Sequence, residues 1–178
     1  MLSVVAFYLF VSYFSKHYSI NTTPSMPRGI YRIVSKPITH GSIVGACIPD
    51  SFATLAAERE YLGKGRCFGN LRPVMKYVAG VSGDSVVVAL EGVVVNNQPI
   101  PSTQILITDP LGRVVPNKIG KHVLKDGEIW LVSNAHKGCL DSRYFGAVTE
   151  ILGVVEPLVT VDQLCKLSFL SFFIPCGG

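Results

Sequence analysis

Three short segments carry residue types and spacings that could do nucleophilic chemistry at a carbonyl. In NTTPSMPRGIY, residues 21 to 31, Pro24 and Pro27 bracket Ser25 and Met26. Proline fixes its own φ and restricts the residue before it, so the pair presents the Ser25 hydroxyl from a stiff, non-helical turn. The pattern equally describes a proline-rich turn whose serine bonds a neighbouring amide. A serine attacks a carbonyl only when a base accepts its proton, and histidine is the usual base. The chain has four histidines. His17 follows the apolar start, His40 and His122 have loop-like surroundings, and His136, in SNAHKG, is the one that could serve a histidine-dependent site.

Lys76 is placed differently, as a single lysine in an apolar, strand-like run with Val74, Met75, Tyr77 and Val78. An ordinary lysine has a pKa of about 10.4 and is no base at neutral pH. Burial disfavours the charged form and can lower that value by about 3 to 5 units, which leaves a usable amine. The spacing also fits an amphipathic strand with Lys76 on its wet side. In LDSRYFGAV, residues 140 to 148, Asp141 and Arg143 lie two apart. On an extended chain they share a face, where carboxylate and guanidinium can pair. The choice is between a surface ion pair of little worth and a buried pair beside Lys76.

Taken in order, SMPRGIY, then KYVAGVSGDSV followed by VVVNNQPIP, then DSRYFGAV, resemble the serine box, the lysine box with its Gly-Asp turn and hairpin, and the DSR box of the signal peptidase I clan of S26-type Ser/Lys peptidases. The form SMPRGIY, the cysteine-containing insertion ending LGKGRCFGN, and the absence of a GDNR run before DSR are most similar to the TraF subfamily of conjugative transfer peptidases. The resemblance implies a serine endopeptidase with Ser25 as nucleophile and Lys76 as general base. It implies that the Ser25 N–H and the Thr23 hydroxyl bind the oxyanion, and that Met26 and Met75 line the pocket for a small residue before the cut. Asp141, with Ser142 and Arg143 in support, would hold the site around Lys76. Bacterial signal peptidases have a serine two residues before the DSR aspartate. Here Cys139 stands in that place, so a larger share of holding Lys76 falls to Asp141.

The implied substrate is a propilin or other signal-bearing precursor, cleaved by water or cyclised when its own amine attacks the acyl-enzyme. The implied partners are that peptide, the inner membrane and the conjugation machinery, with the catalytic domain in the periplasm. The alternatives are a general signal peptidase, a self-cleaving Ser/Lys repressor domain, and a non-catalytic β-rich subunit of the secretion apparatus. The last requires Lys76 to be exposed and distant from Ser25.

These residues need elements to position them, and from Asn21 onward the chain turns to Pro, Gly and β-branched residues with short apolar runs between turn signals. The runs at 31 to 34, 41 to 48, 75 to 81, 84 to 90, 93 to 100, 128 to 133 and 146 to 158 predict strands. Glu91 and Gly92 predict a hairpin turn. One helix is expected from Asp50 or Ser51, as cap, through Phe52, Leu55, Ala56 and Tyr61 to a stop at Gly63. The predicted fold is mainly β, a signal-peptidase-like set of antiparallel sheets with one inserted short helix and an apolar N-terminal helix.

Residues 1 to 18 are expected to be a membrane anchor and 19 to 178 an extracytoplasmic peptidase domain. MLSVVAFYLFVSYF has no charge, yet a span needs about 20 apolar residues. It reads as a clipped signal anchor, a short tilted anchor, a core helix or a cleaved signal peptide. The C-terminal LSFLSFFIPCGG reads as a buried edge or a membrane-dipping rim.

With 178 residues the chain suits one domain, and 48% hydrophobic against 16% charged residues, with mean hydropathy +0.40, points to a membrane connection. The net charge of +4 is spread without a basic run, which argues against a nucleic-acid partner. Cysteines 47, 67, 139, 165 and 176 form no metal-binding spacing, so neither metal nor cofactor is expected. In an oxidising compartment Cys67 could pair with Cys47 or Cys139.

Overall fold

The computed structural model describes residues 2–166. The elements in chain order are α1 (Leu2–His17), β1 (Tyr18–Asn21), β2 (Gly29–Val34), β3 (Ile43–Ala46), α2 (Asp50–Glu58), β4 (Lys64–Cys67), β5 (Val74–Gly80), β6 (Ser85–Ala89), β7 (Gly92–Val95), β8 (Gln98–Ile100), β9 (Gly120–Val123), β10 (Trp130–Val132), α3 (Ser142–Phe145), β11 (Ile151–Thr160) and α4 (Val161–Lys166). Mainly β is what the sequence predicts. Six strands form one sheet in the order β1-β2-β11-β3-β5-β10, four form a second in the order β8-β7-β6-β9, and the pairings are antiparallel.

Alternation sets the inner face of the smaller sheet. Val86 and Val88 lie opposite Val95 and Val93, all four buried, while Val87 between them is exposed. In the larger sheet β5 has no open face, with Val74, Lys76, Val78 and Gly80 buried and Met75, Tyr77 and Ala79 half-buried. One contiguous apolar cluster joins the two sheets to α2, running from Val44 and Val78 through Trp130 and Leu131 to Val86, Val93 and Phe52. Phe52 of α2 meets Phe145 of α3 edge to face at 6.2 Å.

Several expectations need correction. Residues 93 to 100 are two strands, because Asn96 and Asn97 take φ of 48° and 65° and close a two-residue turn. That turn requires positive φ at both central residues, which asparagine tolerates. The β6–β7 hairpin forms with its turn at Leu90 and Glu91, one residue earlier than predicted, because Gly92 pairs with Ala89 as the first residue of β7. Helix α2 starts with Asp50 in its first turn and Pro49 at the cap position, with no side-chain cap hydrogen bond. Asp50 contributes there through its charge beside the helix N-terminus. The DSR segment is a helical turn, not an extended chain. Strands β1, β4 and β9 were not anticipated, since YSIN, KGRC and GKHV lack an apolar run.

Helix α1 does not join the core, for Val4, Phe7, Tyr8 and Leu9 are at least 60% exposed. Its 16 residues rise about 24 Å. Among the described residues no helix is long and apolar enough to cross a membrane. The C-terminal apolar segment 167–178, with Cys176, and the side chain of Cys165 lie outside the described residues.

Of the two pairings open to Cys67, the structure has Cys47–Cys67, which ties the end of β4 to the residue after β3. Cys139 is free and buried. Because the bridge closes a loop of 20 residues, a Cys47→Ser/Cys67→Ser double variant should lose about 3 kcal/mol of stability. Urea denaturation under oxidising conditions measures this, and an unchanged midpoint refutes it.

Candidate active site

Ser25 lies in the loop that joins β1 to β2, and the strand ends fix that loop from both sides. The closing pair is Asn21 opposite Gly29. Gly29 is required by close approach, since a Cβ there would stand 2.2 Å from the Val159 carbonyl oxygen of β11. Asn21, 8% exposed, organises the loop from within. Its Nδ2 lies 3.0, 2.8 and 3.1 Å from the carbonyl oxygens of Thr23, Met26 and Pro27, and its Oδ1 accepts from the Thr23 N–H at 3.2 Å and the Thr23 hydroxyl at 2.8 Å. That set of partners dictates which end of the amide is oxygen.

The Tyr31 hydroxyl donates to the Pro27 carbonyl at 2.7 Å, and Tyr31 is wholly buried. Burial first, then the nearby Tyr77 and Asp162, push the Tyr31 phenol up to about 12, so it remains a donor. Thr23 Oγ1 also stands 3.2 Å from Ser25 Oγ. A hydroxyl has one proton. With the Thr23 proton given to Asn21, the Ser25 hydroxyl is the donor in that contact.

Lys76 sits in mid-strand on β5, paired with Val44 of β3 and flanked on its own face by Val74 and Val78. It is 4% exposed. Among the described residues it makes no ion pair. Burial dominates and lowers its pKa; Cys139 and Asp141 work the other way, and Arg143 adds to the lowering. Lys76 and Ser25 line the same cleft, about 400 Å³ in volume, together with Thr23, Met75, His136 and Cys139.

The DSR residues lie beneath the cleft and do not line it. Asp141 and Arg143 are both 0% exposed and pair bidentately, Nε to Oδ1 and Nη2 to Oδ2, each at 2.8 Å. Oδ1 also accepts from the Arg143 N–H and Oδ2 from the Ser133 N–H. Two further guanidinium donors go to the carbonyls of Gln104 and Cys139. A carboxylate has about four lone-pair sites, and all are used. Asp141 therefore has none left for Lys76, and the expectation that it takes over the missing hydroxyl's role is corrected. Its reach is toward the serine instead, because the Ser133 hydroxyl, 0% exposed, donates to the Ser25 carbonyl. The Ser142 hydroxyl accepts from the Leu131 N–H at 2.9 Å and holds β10.

The structure thus brings Thr23, Ser25, Met75 and Lys76 to one cleft and leaves Asp141, Ser142, Arg143 and Met26 below it. Met26 is 2% exposed and is not among the lining residues, because its carbonyl is drawn to Asn21 and the residue is packed inside the loop. Sequence reasoning missed Asn21 and Ser133. Asn21 sits at a strand end before two threonines, where asparagine commonly bonds the next backbone groups, and that signal was present. For Ser133, at the end of WLVS, no local signal existed.

The Gly-Asp turn has a structural role. Gly83 takes φ 89°, and the Asp84 carboxylate accepts from the Val81 N–H, the Asn96 side chain and His40. These bonds, against the opposing effect of burial, hold its pKa below the usual range. Asp84 thereby fastens the end of β5 to the β7–β8 turn.

The family model described as signal peptidase, peptidase S26, matches residues 1–158. The plasmid transfer protein TraF of Escherichia coli is 34% identical over 145 residues, 79% of this chain and 82% of that protein. The conjugal transfer protein TraF of Agrobacterium fabrum (strain C58) is 33% identical over 150 residues, 82% of this chain and 84% of that one. A solved signal peptidase I from Enterococcus faecalis V583 aligns with 69% of this chain and 99% of its own at 16% identity and a TM-score of 0.38, below the level at which a fold comparison carries weight.

Two stability measurements test the site's electrostatics. A lysine with a lowered folded pKa costs stability once pH falls below the unfolded value, because only the unfolded chain then binds the proton freely. Lys76→Met should therefore be more stable than the parent at pH 7, by about 1.4 kcal/mol per unit of lowering. The gain should shrink as pH rises toward the ordinary lysine value, and a gain constant with pH contradicts the assignment. Asp141→Ala, which strands a buried guanidinium, should lose about 3 to 5 kcal/mol. A loss under about 1 kcal/mol in denaturant titration would mean the pair is dispensable.

Proposed function

The chain belongs to the signal peptidase S26 family, and on that premise we propose that it is a serine endopeptidase in which Ser25 is the nucleophile and Lys76 the general base. The observation that carries this is Lys76 itself, buried in an apolar strand, lowered in pKa by that burial, and opening on the same cleft as Ser25. A non-catalytic subunit has no need for so costly a placement of a lysine.

An extended peptide adds beside the strands that floor the cleft, and Ser25 Oγ bonds to the scissile carbonyl carbon as its proton passes to Lys76 Nζ. The Ser25 hydroxyl must first turn from Thr23 toward the amine. The carbonyl oxygen, now an oxyanion, takes the Ser25 N–H and the Thr23 hydroxyl. For the second donor Thr23 must release Asn21, so Asn21 sets how readily that hydroxyl turns. The loss of one such donor typically costs about 2.7 to 4 kcal/mol of transition-state stabilisation. The C–N bond then breaks, the Lys76 ammonium returns its proton to the leaving amine, and an ester remains on Ser25. Water, or an amine of the same substrate, attacks that ester as Lys76 takes its proton; the bond from Ser25 Oγ to the acyl carbon then breaks and Lys76 returns the proton to Oγ. The first route yields a trimmed chain and the second a cyclic one. Asp141 and Arg143 act as positioning residues through Ser133, Ser142 does so through Leu131 of β10, and Met75 borders the pocket for the residue before the cut.

The names of the relatives, plasmid and conjugal transfer proteins, supply the setting. The substrate is a propilin or another exported precursor of a transfer system, and the enzyme works beside that machinery. Its place is the inner membrane, held by α1, with the remainder in the periplasm. The Cys47–Cys67 disulfide supports an oxidising compartment, and the exposed apolar side chains of α1 support a lipid contact.

In cells carrying the transfer system, Ser25→Ala and Lys76→Ala should each leave the pilin at its precursor mass. Mass spectrometry distinguishes precursor, trimmed and cyclised chains, and mature pilin in either variant overturns the mechanism.

A further inference from the structure

The floor of the cleft is apolar, but one of its walls is cationic. Arg66 and Arg72 line it alongside Lys76 and His136, and no Asp or Glu is among the lining residues. Both arginines are exposed. Among the described residues neither is in an ion pair, whereas Arg32, Arg113 and Arg143 each meet a carboxylate. Burial disfavours the charge on Lys76, whereas the two arginines are exposed and permanently charged, so they lead the field that an entering peptide meets.

Their wall is built to hold its place. It is the arm between α2 and β5, and Cys67 at the end of β4 is bonded to Cys47 beside the larger sheet. The Arg72 N–H donates to the Gly63 carbonyl at 2.6 Å. Gly65 lets the arm fold on itself, since a Cβ there would stand 2.5 Å from the Arg72 Cα. The Arg72 guanidinium lies across Gly63, 3.4 Å from where that residue's Cβ would be. A planar guanidinium on a braced arm, without an internal partner, is suited to bidentate capture of a carboxylate.

From this geometry we infer that Arg66 and Arg72 form a carboxylate-binding subsite that selects peptide substrates with an acidic group a few residues from the cut bond. Arg72 precedes Lys76 by four residues, at most about 13 Å of extended chain. A peptide lying along β5 with its reacting carbonyl near Lys76 therefore brings its third to fifth residue on that side to the arginines. The carboxylate belongs either to an Asp or Glu side chain or to a free C-terminus at that distance. This inference rests on the peptidase reading above and supplies its specificity.

The test offers the full chain a library of random decapeptides and reads the cleaved products by mass spectrometry. Individual peptides then carry Glu, Gln or Lys at the selected position, with either a free or an amidated C-terminus. Glu over Gln should improve kcat/KM about five- to tenfold, mostly through KM, and the advantage should fade with salt. Selective loss on amidation assigns the carboxylate to the chain end; persistence assigns it to the side chain. Arg72→Gln and Arg66→Gln should flatten the preference, Arg72→Glu should turn it toward Lys, and Lys121→Gln on the outlying β9 should leave it unchanged. Cleavage that Ser25→Ala abolishes but that ignores the acidic group overturns this inference and spares the mechanism. Absence of all cleavage overturns the mechanism. In that event the binding of Glu and Gln peptides to the Ser25→Ala chain, read by fluorescence anisotropy, still decides the subsite, and equal affinities refute it.

Discussion

The ion pair between Arg143 and Asp141 is the joint on which the site is built. Both residues are fully buried, and burying two charges is costly unless every donor and acceptor finds a partner. Here the carboxylate takes four donors, and the guanidinium also reaches the carbonyls of Gln104 and Cys139. One charged pair therefore sets the positions of the 104 region, the 139 loop and the start of α3. Through the Ser133 backbone and hydroxyl it extends to the carbonyl of Ser25. The Ser25 loop, more than a hundred residues away in sequence, takes part of its shape from this joint.

The same pair tempers the field around Lys76. A free carboxylate in that interior would draw a proton onto the amine and hold it there. Burial lowers the affinity of Lys76 for the proton, Cys139 and Asp141 oppose it, and Arg143 offsets part of the Asp141 effect. Serine and lysine are thus held by opposite means. Ser25 rests in a loop fixed by directional hydrogen bonds from Asn21, Tyr31 and Ser133, and Lys76 sits on a rigid strand whose apolar neighbours offer it nothing to bond.

What was legible in the sequence follows from how local each determinant is. The valine runs of β5, β6 and β7 report their own strands, because period-two burial is written into adjacent residues. Ser25, Lys76 and the Asp141–Arg143 pair were legible because each lies in a short box of distinctive type and order. The geometry of that last pair was misread as extended, since two-residue spacing also suits a capping residue and the helical turn after it. Strands β1 and β4 are polar and partly exposed, and what makes them strands is the partner chain across the ladder, which spacing does not reveal. Ser133 and the choice of Cys47 over Cys139 as the partner of Cys67 depend on contacts between distant segments, for the same reason.

Helix α1 ends at His17 and β1 begins at Tyr18, with the Phe14 and Tyr18 rings stacked 4.9 Å apart across the junction. No residue separates the two elements. Four strand residues, about 13 Å, then lead into the loop that carries Ser25. On the proposed reading the molecule works as a gauge: with α1 on a surface, Ser25 stands at one height above it, and a bond is reached according to its distance from that surface.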